Sequence, residues 1–302
     1  MSALKLAVSN LSPGSGKTTT ALNLAAALAR TGKTVLLVDG DPKNPFHAMG
    51  GLSDSGVAID RESQQVLRTS PVSGLSVLCG FGSSLAKGPN AEHRERFRKV
   101  SAEFDWVIFD APSERGPALD EILKLTDDVI IPVQNHVSSY DQLPAALHLL
   151  VSAKKANPRL AVKGLVVTMT HPKNEAAEPS APAARATYEA IVDQYRSMGF
   201  DTQVPLEMAV ADAMGELAPV GLKDPQAPAA QIFANLATEV SAKCLQAAPA
   251  AVRRVAVRQD KPIPIAREIV PTGPPVFTGA PAAARNPLTT MLRWITNLFG
   301  GR

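Results

Sequence analysis

Short apolar runs alternate with helical periods along the first 246 residues. LKLAVS (4–9), TVLLVD (34–39), LSVLC (75–79), WVIFD (106–110), VIIPV (129–133) and VKGLVVTM (162–169) are nearly unbroken apolar and rich in β-branched residues. Such runs predict strands buried on both faces. Between them, residues 18–30, 91–103, 117–126, 139–156, 183–198 and 226–246 predict helices, the first of them Ala/Leu-rich and closed by Gly32. Strands alternating with helices predict an α/β fold, a mostly parallel sheet with helices on both faces, spanning residues 1–246. The charged stretch EHRERFRKV (92–100) predicts a solvated helix face, with a nucleic-acid or partner patch as the alternative. Trp106, inside a strand pattern, is expected in the core.

The pattern changes at residue 247. Residues 247–286 are rich in Pro and Ala and have no period, which predicts a flexible linker. In NPLTTMLRWITNLFGGR a helical period returns. At 100° per residue, Leu288, Met291, Leu292, Ile295, Leu298 and Phe299 fall within an arc of about 120°, with Trp294 at its edge. Asn286 is a cap candidate, Pro287 suits the first turn and Gly300 the end. Residues 287–302 therefore predict an amphipathic helix whose apolar face lies on an anionic membrane or docks on the body or a partner.

Charge sharpens this division. The 302-residue chain carries a net +3. Residues 247–302 hold eight Lys/Arg against Asp260 and Glu268, a net +6, which leaves −3 on the rest. That asymmetry predicts a membrane or nucleic acid as the tail's partner, or a tail that only solubilises. Cys79 and Cys244 are too few and too far apart for a disulfide framework. The chain opens directly into a strand, and no apolar run approaches the ~20 residues that span a bilayer. A cytoplasmic protein is expected, peripheral at the inner membrane face if the tail binds lipid.

The chemistry starts at SNLSPGSGKTTT (9–20). Gly16, Lys17 and Thr18 match the end of the phosphate-binding pattern G-x-x-x-x-G-K-[ST], but Leu11 stands where the first glycine belongs. The loop falls between a strand and a helix, where backbone N–H groups favour anions. Gly14 and Gly16 let the backbone come close to phosphate, Lys17 supplies a counter-charge and the Thr18 hydroxyl suits Mg²⁺. Asp39, Asp41 and Asp110 end two other strands. In a parallel sheet they should gather beside the loop, Mg²⁺ being held through water by such aspartates. A strand-end aspartate is as readily a helix N-cap, but three around one phosphate loop favour the metal.

With these motifs, TVLLVDGDP, FDWVIFDAPS, TDDVIIPVQ, GLVVTM and VPLEMAVADA, the sequence resembles the ParA/MinD family of deviant-Walker ATPases across about residues 3–246. The resemblance implies ATP held by Ser12, Pro13, Gly14, Ser15, Gly16, Lys17, Thr18 and Thr19. It implies Mg²⁺ at Thr18, with Asp39 and Asp110 acting through water, and Asp41 positioning the hydrolytic water. It also implies an ATP-dependent homodimer, slow hydrolysis stimulated by a partner or cargo adaptor, and a role in positioning or partitioning a cargo. Membrane-targeting tails occur in MinD-type members. Non-specific DNA is a further candidate partner. The family loop K-G-G-x-G-K-[ST] sends its first lysine across the dimer. Here that position is Ser12, followed by Pro13. Some carboxysome-positioning members also lack the lysine, and Lys43 is a candidate substitute. SPGSGKTTTALNLA with LLVDGDPKNP also resembles the tyrosine kinases of polysaccharide export, but the tail lacks their tyrosine cluster. A non-hydrolysing nucleotide-bound membrane scaffold is the remaining alternative.

Overall fold

The computed structural model describes residues 3–43, 46, 52–60, 65–88, 91–170, 193, 195, 198–222 and 224–246, with the backbone alone at 54–60, 137, 138 and 141. Most of the helix expected over 183–198, the linker 247–286 and the terminal helix 287–302 lie outside them. Among the described residues nine strands form one sheet: β1 (Leu4–Val8), β2 (Val35–Asp39), β3 (Ser53–Asp60), β4 (Gln65–Thr69), β5 (Leu75–Cys79), β6 (Trp106–Asp110), β7 (Asp128–Gln134), β8 (Ala161–Thr170) and β9 (Val204–Pro205). Their order is β3-β4-β5-β2-β6-β1-β7-β8-β9. From β5 to β9 all pairings are parallel, and the β3–β4 and β4–β5 pairings are antiparallel. The described helices are α1 (Lys17–Arg30), α2 (Phe81–Ala86), α3 (Ala91–Ser101), α4 (Pro117–Leu125), α5 (Val137–Ala156), α6 (Met208–Gly215) and α7 (Pro228–Leu245).

The six strands expected from apolar runs are all present. β3, β4, β9, α2 and α6 were not expected. β3 (SDSGVAID) and β4 (QVLRT) are mostly polar because they extend the sheet's antiparallel end, where no continuous apolar run is needed. The six-residue α2 and two-residue β9 are too short to show a period.

Each central strand is buried on both faces, so successive residues serve different layers. Leu6, Val8, Val35, Leu37, Val77 and Ile108 join Leu22, Leu24 and Leu28 of α1 and Phe233, Leu236 and Val240 of α7 in one cluster. Residues of the opposite parity, among them Leu36, Val38, Val107 and Phe109, are equally buried. There Phe81 of α2, Phe97 of α3 and Phe109 of β6 form an aromatic group with centroid separations of 4.7, 5.7 and 6.3 Å. Trp106 is in the core as expected.

The charged helix α3 buries Phe97 and Ser101, and its other side carries the ion pairs Glu92–Arg96 and Glu95–Arg98 one turn apart. It is a solvated face with one tether, Arg94, whose Nε donates to the buried Glu121 of α4 at 2.5 Å. Phe97 anchors this helix to the sheet. Phe97→Ala is expected to lower the unfolding free energy by about 3–5 kcal/mol, read from the urea midpoint at unchanged slope. An unchanged midpoint would show that α3 does not cover this face.

Candidate functional site

Residues 9–16 leave the C-terminal end of β1, the strand flanked by β6 and β7, and run into α1. In open α/β sheets ligands sit beyond these strand ends. Gly14 and Gly16 have φ of 72° and 85°, the left-handed region that costs glycine least. Gly16 caps α1 without any side chain over the helix N-terminus, so the first N–H groups of α1 stay open to an anion. Two side-chain contacts tie the loop to neighbouring strands and one braces it internally. Asn10 Nδ2 donates to the Pro132 carbonyl at 2.7 Å, its Oδ1 accepts from Ser12 N at 3.2 Å, and Thr168 Oγ1 donates to the Ser15 carbonyl at 3.0 Å. Lys17 Nζ, nearly buried, donates to the Ser12 carbonyl at 3.0 Å. Burial pushes its pKa down, while Asp110 and Asp41 hold it up.

The carboxylates converge below. Asp39 and Asp110 are register partners on the adjacent strands β2 and β6, both essentially without solvent exposure. Thr18 Oγ1 donates to Asp110 Oδ2 at 2.7 Å, and Phe46 N donates to Asp39 Oδ2 at 3.0 Å. Among the described residues, the second oxygens, Asp39 Oδ1 and Asp110 Oδ1, are buried without a hydrogen bond of good geometry, although the Asp41 backbone N–H lies close enough to Asp39 to favour its charge. Desolvation raises Asp39 to about 8, with repulsion from Asp110 adding to it and the Phe46 N–H opposing it. Desolvation likewise raises Asp110 to about 7 against the Thr18 bond and the Lys17 charge. Two buried acceptors left open beside a threonine hydroxyl are a donor set that fits a hydrated divalent cation. Among the described residues no cluster of three or more His, Cys, Asp or Glu side chains stands ready to hold a metal. A cation here therefore depends on water and on oxygens that a ligand brings.

Asp41 stands further out, half-buried, on the loop after β2, where its Oδ1 accepts from Lys43 N at 2.9 Å. It borders a cavity of about 210 Å³ shared with Lys43, Ser113, Glu114 and Arg115. Lys43 Nζ lies 3.5 Å from Glu114 Oε1, with both side chains about four-fifths exposed. A second cavity, of about 130 Å³, opens on the other side of the loop between Gly16, Thr19, Met169, Pro205 and Val210, and its lining is mainly apolar. Sequence reasoning missed its far wall and the supports Asn10 and Thr168. Those supports act through backbone carbonyls distant in sequence, which leave no local signature. Thr19 borders the second cavity, Ser15 is fully buried and Pro13 is exposed.

An anion entering this loop would meet a helix N-terminus, a buried ammonium and a cation site together, the arrangement of a P-loop nucleotide-binding α/β protein. Residues 6–220 match the CobQ/CobB/MinD/ParA nucleotide binding domain, and the chain belongs to that family. The chromosome-partitioning ATPase Soj of Thermus thermophilus is 32% identical over 257 residues, covering 80% of this chain and 97% of Soj. The same fold appears in the ATP complex of Cyanothece McdA (TM-score 0.59, 18% identity, 80% and 98% of the two chains). It appears again in the septum site-determining protein MinD of Pyrococcus horikoshii with Mg-ADP (TM-score 0.59, 20% identity, 80% and 96%).

The buried pair gives the nucleotide-free chain a pH signature. Unfolded aspartates ionise near 3.8, whereas folded Asp39 keeps its proton to about 8. The folded state binds more protons between these values, so this stabilising contribution is complete below 3.8 and is lost as pH rises through about 8. Asp39→Asn removes the titration. Its Tm relative to wild type is expected to climb across that window, by about 3 °C or more at the upper end. A pH-independent difference overturns the assignment.

Proposed function

We propose that this chain binds ATP with Mg²⁺, hydrolyses it slowly, and uses the change between nucleotide states to switch between monomer and dimer and so position or partition a cargo. The observation that carries this reading is the Thr18–Asp110 hydrogen bond at 2.7 Å beneath the glycine loop, beside the open oxygens of Asp39 and Asp110. Lys17 exchanges its bond to the Ser12 carbonyl for β- and γ-phosphate oxygens. Gly14 and Gly16, with the N–H groups that open α1, take the remaining phosphate charge, flanked by Ser12, Pro13, Ser15 and Thr19. The Thr18 hydroxyl would hold Mg²⁺, with Asp39 and Asp110 acting on it through water. Bound Mg²⁺ neutralises charge on the phosphate oxygens. Asp41 accepts a hydrogen bond from the attacking water and so orients it. The apolar cavity beside Thr19 and Pro205 suits the base.

The relatives support the coarse part of this reading: Soj is described as a chromosome-partitioning ATPase and MinD as septum site-determining. Ser12 removes the family's cross-subunit lysine, and Lys43, near Asp41 and highly exposed, is the cation proposed to reach the second copy. An activating partner or cargo adaptor would set the rate of hydrolysis. The kinase reading is weaker, since Tyr140 and Tyr195 are buried and residues 247–302 contain no tyrosine.

Lys17→Ala is expected to weaken nucleotide binding at least about tenfold, since a buried counter-charge is lost. Asp41→Ala is expected to bind ATP normally, to lose about 100-fold or more in kcat, and to accumulate as a dimer on size exclusion with ATP and Mg²⁺. Wild-type turnover in Lys17→Ala overturns the site. Wild type that binds ATP without hydrolysing it leaves the scaffold.

For the tail, we propose reversible association with anionic membrane at the cytoplasmic face, non-specific DNA being the other partner for its charge. Among the described residues no helix is long and apolar enough to cross a membrane. One interfacial helix binds marginally, and two on a dimer bind through effective concentration. Co-sedimentation with anionic liposomes is expected for wild type with ATP, and to be lost in Ile295→Glu and on truncation before Pro287. Equal pelleting of all three, or none of wild type, overturns it.

A further inference from the structure

The loop that carries Asp41 is held by α2, whose last residue, Ala86, also lines the cavity that Asp41 borders. Residues 40–42 leave β2 and each meet the first turn of α2. An ideal Cβ on Gly82 would fall 2.3 Å from the Gly40 carbonyl oxygen, 2.5 Å from its carbon and 2.6 Å from the Asp41 carbonyl carbon. All three are backbone atoms, so no side-chain rotation relieves the clash. The Gly82 backbone is ordinary helix, and glycine is required there by the approach alone. The next residue, Ser83, donates its hydroxyl to the Pro42 carbonyl at 2.9 Å.

The other side of the loop is equally tight. Gly40 N donates to the Asp110 carbonyl at 3.1 Å, and a Cβ on Gly40 would meet that carbonyl at 2.5 Å and Ile122 Cδ1 at 2.5 Å. The Gly40–Asp41 peptide thus lies between the end of β6, which carries Asp110, and α2. Phe81 sits in the aromatic group over the sheet and fixes α2 in depth. Asp41 is the loop's one carboxylate beside the phosphate site, so the position of α2 sets the position of that carboxylate.

We propose that Gly82 and Ser83 are positioning residues for Asp41: α2 holds the 40–43 loop at the height from which the Asp41 carboxylate reaches the attacking water. The proposal rests on the ATPase reading above. It predicts a loss in the chemical step without a loss of nucleotide, because neither residue lies on the glycine loop or among Lys17, Thr18, Asp39 and Asp110. The Ser83–Pro42 bond is exposed, so its removal leaves the fold intact.

The test compares the full chain with Gly82→Ala, Ser83→Ala and Ser83→Thr, using steady-state ATPase kinetics, a fluorescent ADP analogue for affinity, and thermal melts. Gly82→Ala is expected to lower kcat by about 10- to 100-fold, with analogue affinity within twofold of wild type, since displacements of about 1 Å are costly in a reacting geometry. Ser83→Ala is expected to lower kcat about three- to tenfold with KM and melting unchanged, and Ser83→Thr, which keeps the hydroxyl, to restore it. If Gly82→Ala fails to fold, the serine pair decides. Unchanged kcat in Ser83→Ala with an active wild type overturns the proposal and leaves the ATPase reading standing. A parallel loss of analogue affinity also overturns it, by placing α2 in support of binding. A wild type that binds the analogue but turns over no ATP overturns the hydrolysis reading, and the positioning role with it.

Discussion

Asp39 and Asp110 face each other from neighbouring parallel strands, both out of water, each with one oxygen held and one left open. Burying two carboxylates together is unfavourable unless a proton or a cation compensates them. Burial raises both groups above the ordinary carboxylate value of 3.8, the direction in which a proton compensates the pair. With a nucleotide and a divalent cation the compensation would be electrostatic, and both groups would ionise. On the reading proposed above, this unfavourable pair in the free chain would be its means of selecting a cation-bearing anion.

The glycine loop is arranged around that pair. It is tied to β7 by Asn10 on the Pro132 carbonyl and to β8 by Thr168 on the Ser15 carbonyl, and is closed by Lys17 on Ser12. On the proposed reading the lysine bond is the one that a phosphate would replace, whereas the others do not involve groups that it would need. Binding can therefore change the lysine's partner without dismantling the loop. The neighbouring cavities divide the surroundings by chemistry, one apolar beside Thr19 and Pro205, the other bordered by Asp41 and the Lys43–Glu114 pair.

Asp41 belongs to a different mechanical unit. Its loop is fixed by close backbone approach at Gly40 and Gly82, and Asp39 is tied to Phe46 further along the same segment. Cys79, at the end of β5, donates to the Phe46 carbonyl at 3.7 Å, so the strand that leads into α2 also supports that segment. On the reading proposed above, the Asp41 loop would draw its support from α2 and the end of β6, whereas the glycine loop draws its own from β7 and β8.

The sequence by itself determined the central sheet, because strands buried on both faces must be apolar at every position and so announce themselves in TVLLVD, WVIFD and VIIPV. It determined the glycine loop, Lys17 and Thr18, because phosphate chemistry needs those residue types at fixed local spacing, and it placed Asp39, Asp41 and Asp110 at strand ends. Only the tertiary structure decided that Asp39 and Asp110 are register partners, since the strands meet through a pairing of β2 with β6 that no local pattern records. It alone decided that β3 and β4 lengthen the sheet, because their polar residues are permitted at its antiparallel end. It alone gave Gly82 its meaning: a glycine inside a short helix is unremarkable in sequence, and it becomes indispensable only when another backbone comes within 2.3 Å of its absent Cβ.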